Sequence, residues 1–74
     1  MKPASLGQLV RRHRRRARMT QGELARRAGL SSAIHVAMIE SGVRRACSPT
    51  VLWGLARALK IDGNRILEIA SRKA

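Results

Sequence analysis

At 74 residues the chain is long enough for one domain and too short for two. Sixteen Lys and Arg against four Asp and Glu give a formal net charge of +12, more than solubility asks of so short a chain. A surplus of that size suits a polyanionic partner, with nucleic acid ahead of an anionic membrane surface.

Trp53 is the only aromatic residue, so there is no stacking platform of the kind used on single-stranded nucleic acid. Cys47 is the only cysteine, which excludes an intramolecular disulfide and a paired-cysteine metal site. His13 and His35 lie far apart without a partner motif, and neither a metal nor a cofactor is expected. Four acids, no paired His–carboxylate motif and no glycine-rich phosphate loop leave little from which to build an enzyme. No apolar run approaches membrane-spanning length and no signal-peptide core is present. The expectation is a cytoplasmic protein without a membrane or small-molecule substrate as partner.

Residues 1–5 read as a flexible lead, with Pro3 opposing an early helix and Ser5 a candidate cap. A first helix is predicted from about Leu6 to Ala17. Leu6, Val10, His13 and Ala17 share its apolar face, and Arg11, Arg14, Arg15 and Arg18 fall opposite. The arginine run is thus the outer side of an amphipathic helix, and His13 reads as a half-buried structural histidine. Met19 is expected in the core.

The stretch from Thr20 to Ser32 carries the strongest local signals. Thr20 can cap a helix over Gln21 to Ala28, with Glu23 placed to complete a capping box. Leu24, Ala25 and Ala28 form a small apolar stripe. Gly29 can take the left-handed conformation that ends a helix, and Ser31 or Ser32 can cap the next. This is the local plan of a helix-turn-helix.

The third helix should begin near Ser31 or Ser32 and stop at Ser41-Gly42, with Val36 and Ile39 inward. Ile34 and Met38 then lie on a side more apolar than a solvated face should be. Either the helix is rotated or those side chains meet a partner. After a loop over 43–49, Ser48 and Pro49 should open a fourth helix with an apolar face of Val51, Leu52, Leu55, Ala56 and Leu59. Asp62 or Asn64 can cap a last helix carrying Ile66, Leu67 and Ile69, and 71–74 read as a basic fraying end. The expected architecture is all-α, five short helices in one domain over 6–70. Trp53 is assigned to the core or to a subunit contact. An exposed apolar patch with Ile66, Leu67 or Ile69 would suit a symmetric homodimer.

With those elements placed, the sequence resembles the phage Cro and repressor-type helix-turn-helix family, also called the xenobiotic-response-element family. The resemblance rests on Leu6-Gly7-Gln8 and the arginine-rich helix after it, Met19-Thr20-Gln21-Gly22-Glu23-Leu24-Ala25, Ala28-Gly29-Leu30-Ser31, Ile39-Glu40-Ser41-Gly42 and Leu55-Ala56-Arg57-Ala58-Leu59. It covers the chain from about Leu6 to Ile69 and implies a compact, lambda-repressor-like domain that binds double-stranded DNA, acts as a dimer on an operator and regulates transcription.

By the same resemblance, Gln21 contacts the DNA backbone and buttresses the recognition helix. The base-reading positions map to Ser31, Ser32 and Ala33 and, a turn later, to His35 through Ala37. Leu30 to Ile39 holds one residue more than is common in the family. Counting forward from Gly29-Leu30 makes Ser31 and Ser32 the first readers, whereas counting back from Ile39-Glu40 makes them Ser32 and Ala33. The helix also lacks the Arg, Gln or Asn side chains that make bidentate base contacts. Part of the specificity is therefore expected from DNA shape and from arginines outside the helix. Arg18, near the start of helix two, and Arg44 and Arg45, in a longer loop after the recognition helix, are candidates for phosphate contacts. Arg14 and Arg15 are weaker ones. The competing reading is the antitoxin of a toxin–antitoxin pair, a protein-binding module that also binds DNA.

Overall fold

The computed structural model describes residues 5–43 and 48–71, which form five α-helices and, among those residues, no strand. Local capping chemistry explains most of the helix boundaries. α1 (Leu6–Arg16) starts where the Ser5 hydroxyl accepts a hydrogen bond from the Gln8 N–H at 3.3 Å. It stops one residue before the expected end because Arg18 adopts a left-handed φ of 56° and the Met19 N–H turns back to the Arg14 carbonyl at 3.1 Å. α2 (Gln21–Ala28) carries the full capping box: Glu23 N–H donates to Thr20 Oγ1 at 3.0 Å, and Thr20 N–H donates to Glu23 Oε1 at 3.1 Å. Those bonds with Thr20 hold the Glu23 carboxyl below its ordinary pKa.

Gly29 ends α2 at φ 78°, and the Leu30 N–H closes the turn on the Ala25 carbonyl at 2.7 Å. α3 (Ala33–Ser41) has Ser32 as its N-cap, but the Ser32 hydroxyl makes no capping bond. α4 (Pro49–Leu59) has Pro49 in its first turn and a bond from the Val51 N–H to Ser48 Oγ at 3.3 Å. It ends on Lys60, again at a left-handed φ of 56°. Of the two residues that could cap α5 (Gly63–Ser71), Asp62 does so. Its Oδ1 accepts from the Asn64 N–H at 3.0 Å, and its carbonyl accepts from the Ile66 N–H at 3.1 Å.

The core is aliphatic, and every helix contributes a side chain with no exposed surface: Val10, Leu24, Val36, Leu55 and Ile66. Leu6, Leu9 and Met19 join them, and Leu9 belongs to the buried face of α1 although the first-helix pattern did not include it. Ala17, expected on that face, is exposed beyond the end of the helix, while His13 is half-buried as expected. One further expectation is corrected, and of the two places expected for Trp53, core or subunit contact, the core is removed. Ile66 and Ile69 are buried in the domain's own core, so they form no exposed patch with Trp53. Trp53 itself is 49% exposed and lies outside the core, its ring packed directly over the backbone of Gly63.

Two glycines let backbones meet. A Cβ on Gly7 of α1 would fall 2.6 Å from the carbonyl oxygens of both Ile39 and Glu40 in α3. A Cβ on Gly54 of α4 would collide with the Ala28 carbonyl oxygen at the end of α2. In both cases the opposing atom is backbone, which cannot rotate aside. Gly7→Ala and Gly54→Ala are each expected to lower unfolding free energy by about 1–3 kcal/mol, read from the midpoint of urea unfolding. A midpoint equal to that of the parent would show that the helices can separate without cost.

Candidate nucleic-acid interface

α2 and α3 meet near their N-termini. Ala33, the first residue of α3, lies beside Gly22, the second of α2, with 3.9 Å between the Ala33 Cβ and the Cβ position of Gly22. Helix N-termini carry unsatisfied N–H groups and partial positive charge, so bringing two of them together favours anions.

The helical frame of α3 is unambiguous. Val36, Ile39 and Glu40 point inward and are buried, whereas Ile34 is 68% exposed. Ala33, His35, Ala37 and Met38 are half-buried, and Ser31 and Ser32 are exposed. The helix is therefore not rotated to hide Ile34. Four residues, Gly29 to Ser32, separate the end of α2 at Ala28 from the start of α3 at Ala33. Ser31 is a turn residue, Ser32 is the cap, and Ala33 and Ile34 are the first two helical positions.

Glu40 organises the back of this surface. Its side chain is 1% exposed and takes bonds from three donors on two other helices. Arg14 Nε donates to Oε2 at 2.7 Å, and Arg14 Nη2 donates to Oε1 at 3.2 Å. Gln21 Nε2 reaches Oε1 at 3.2 Å, and Arg11 Nε reaches the same oxygen at 3.5 Å. Arg14 Nη1 also donates to the Met19 carbonyl at 2.9 Å, tying the α1–α2 turn to the same network. Burial pushes the Glu40 carboxyl up. The bonds from Arg14 and Gln21, with the charge of Arg14 and the bond from Arg11, outweigh it and hold the group below its ordinary range.

This network corrects the placement of Arg14, which is largely buried on Glu40 with its side chain 14% exposed rather than standing on an outer face. Arg11 keeps more of its side chain in solvent, at 46%. Glu40 itself was not recognised as a core residue from sequence. Its signal was available, since Val36 and Glu40 are four apart and must share a helix face.

Gln21, at the first position of α2, packs its amide against α3 through Glu40 and is half-buried. Arg18 is exposed in the turn that leads into α2. Arg44, Arg45 and Cys47 lie outside the described residues. The described surface thus combines two adjacent helix N-termini, a small and apolar outer face on α3, and Arg18 exposed in the turn that leads into α2.

A model of the helix-turn-helix domain matches residues 5–68, most of the chain. The chain belongs to the helix-turn-helix domain family. No curated protein and no solved structure matches it. As a helix-turn-helix protein it is a DNA-binding protein, of a family that is typically not enzymatic. Among the described residues no helix is long and apolar enough to cross a membrane.

Because the folded Glu40 carboxyl titrates below its unfolded value, its stabilisation is present above the unfolded pKa and is lost as pH falls through the folded one. Glu40→Gln should lower unfolding free energy near neutral pH by about 1.5–3 kcal/mol. The gap between variant and parent should narrow in acid, as followed by urea unfolding across pH. A gap that stays constant down to the acid limit would remove Glu40 ionisation from the account.

Proposed function

We propose that this helix-turn-helix protein is a sequence-specific, double-stranded DNA-binding transcriptional regulator of the Cro or repressor type that occupies an operator. The observation that carries the reading is the fixed frame of α3, which turns Ile34 outward at its first turn while its N-terminus lies beside that of α2. In that frame the major-groove face consists of Ser32, Ala33, Ile34 and Ala37, with Ser31 and His35 at its edges. The Ser32 hydroxyl, unused as a cap, is available to a base edge or a phosphate. Ile34, Ala33 and Ala37 are suited to thymine methyl groups, which apolar side chains read in the major groove.

Gln21 is assigned a backbone contact through the part of its amide not engaged by Glu40. Arg18, Arg44 and Arg45 are assigned phosphate contacts, which fix register without reading sequence. A homodimer on a two-fold operator completes the reading. Trp53, half exposed, is assigned to its interface.

Selection of bound duplexes from a random pool should return a short palindromic site enriched in thymine opposite Ile34, and Ile34→Ala should relax that preference. Equal enrichment of all sequences would refute specific recognition. Arg18 allows a cleaner test of the backbone contacts. Its left-handed conformation costs an arginine about 1 kcal/mol that glycine does not pay, offset in part by the chain entropy of glycine. Arg18→Gly should thus leave stability within about 1 kcal/mol while weakening DNA affinity and reducing the slope of log affinity against log salt by about 1. Fluorescence anisotropy over a salt series reads both quantities. An unaltered slope would take Arg18 off the DNA.

A further inference from the structure

A second concentration of positive charge sits elsewhere on the domain. An open-sided cleft of about 350 Å³ between α1 and the α4–α5 turn is lined by Arg12, His13, Arg16, Lys60, Asp62 and Arg65. At 100° per residue, Arg12 and Arg16 stand about 160–200° around α1 from Arg14. The cleft therefore opens on the flank of α1 away from α3 and the Glu40 network.

Four cationic side chains share this cleft with one carboxylate. No ion pair among the described residues joins Arg16, Lys60 or Arg65 to an acid. Asp62 already spends Oδ1 on the Asn64 N–H. Lys60 contributes its ammonium from a left-handed C-cap position, a conformation that glycine would adopt more easily. Like charges from three segments of chain are thus held around one concavity, an arrangement an oxyanion relieves. His13 shares that environment. Burial, followed by the charges of Arg16, Arg12 and Arg65, pushes its pKa down.

The geometry points to a phosphate-binding site in this cleft, separate from the α3 surface, with Arg16, Lys60 and Arg65 as its principal ligands. The phosphate comes either from a free phosphorylated anion or from the backbone of a second DNA duplex. Asp62 opposes the anion and limits its affinity. A bound phosphate adds negative charge beside Arg16, Lys60 and Arg65, so its presence favours protonated His13 against the field of Arg16, Arg12 and Arg65.

The test follows the His13 ring by NMR during pH titration of the full chain in inorganic phosphate and in chloride at matched ionic strength, with the chloride series as reference. Phosphate should raise the His13 midpoint saturably above its value in chloride. The exposed double variant Arg16→Gln/Arg65→Gln should fold normally and weaken the phosphate response at least about tenfold. Asp62→Asn, which retains a capping oxygen, should strengthen it. A second arm mixes two differently labelled duplexes. If the natural phosphate is DNA backbone, the parent protein brings them into energy-transfer range, and the double variant loses this bridging while keeping its affinity for one duplex. If the natural phosphate is a free anion, His13 responds to phosphate and the duplexes stay apart. A His13 midpoint identical in phosphate and chloride, or a response the double variant retains in full, overturns the site. The phosphate arm contains no DNA, so its outcome is independent of whether α3 reads an operator.

Discussion

A carboxylate without solvent must find its donors inside the fold, and Glu40 finds them on two helices other than its own. Arg14 arrives from α1 with two nitrogens, Arg11 adds a third from the same helix, and Gln21 comes from the first position of α2. Replacing such a cluster by apolar residues often costs a protein no stability. What the cluster supplies here is placement. With a ring of fixed donors around it, α3 cannot slide along α1 or rotate against α2 without leaving a buried charge unpaired. Gly7 reinforces the same registry from the backbone side, since α1 lies close against the carbonyls of Ile39 and Glu40. The pair of N-termini on the outer surface inherits its geometry from this inner arrangement.

That hierarchy explains which features were readable from the chain. The caps are local chemistry. Thr20 with Glu23, Ser48 with Pro49 and Gly29 at its positive φ each involve residues within a few positions of each other, and each formed as their spacing predicts. The Arg14–Glu40 pair spans 26 positions, and nothing in the periodicity of α1 tells a solvated arginine from one that reaches a buried acid. The α5 stripe was equally ambiguous. Ile66 and Ile69 fall on one helical face in either case, and only the packing of α4 and α5 decides that the face turns to the domain's own core rather than to a second subunit. The additional residue before α3 is a further case. Sequence allowed two registers. Val36 and Glu40, buried together, fix which face of α3 turns inward, and that depends on packing against α1 and α2 rather than on spacing alone.

Trp53 illustrates a different limit. A lone aromatic in a short chain invites assignment to the core, because aromatic rings bury large areas. Yet the core closes with Leu, Ile, Val, Ala and Met alone, and the indole is left as a cover on the Gly63 backbone with half its surface in solvent. Packing density over five short helices favours small aliphatic side chains at the points where backbones approach as closely as Gly54 and Ala28 do.

The distribution of charge bears on how selectivity could arise on a face as plain as that of α3. Phosphate contacts raise affinity for every sequence alike, so a net charge of +12 placed wholly at one docking surface would strengthen nonspecific binding without widening the gap to the operator. The fold does not place it there. Arg14 is neutralised on Glu40, Arg11 leans on the same acid, and Arg12, Arg16, Lys60 and Arg65 gather on the opposite flank of α1. On the proposed reading the choice between sequences falls to groups at the base edges such as Ile34, because the phosphate contacts add the same attraction for every sequence and cancel from the difference.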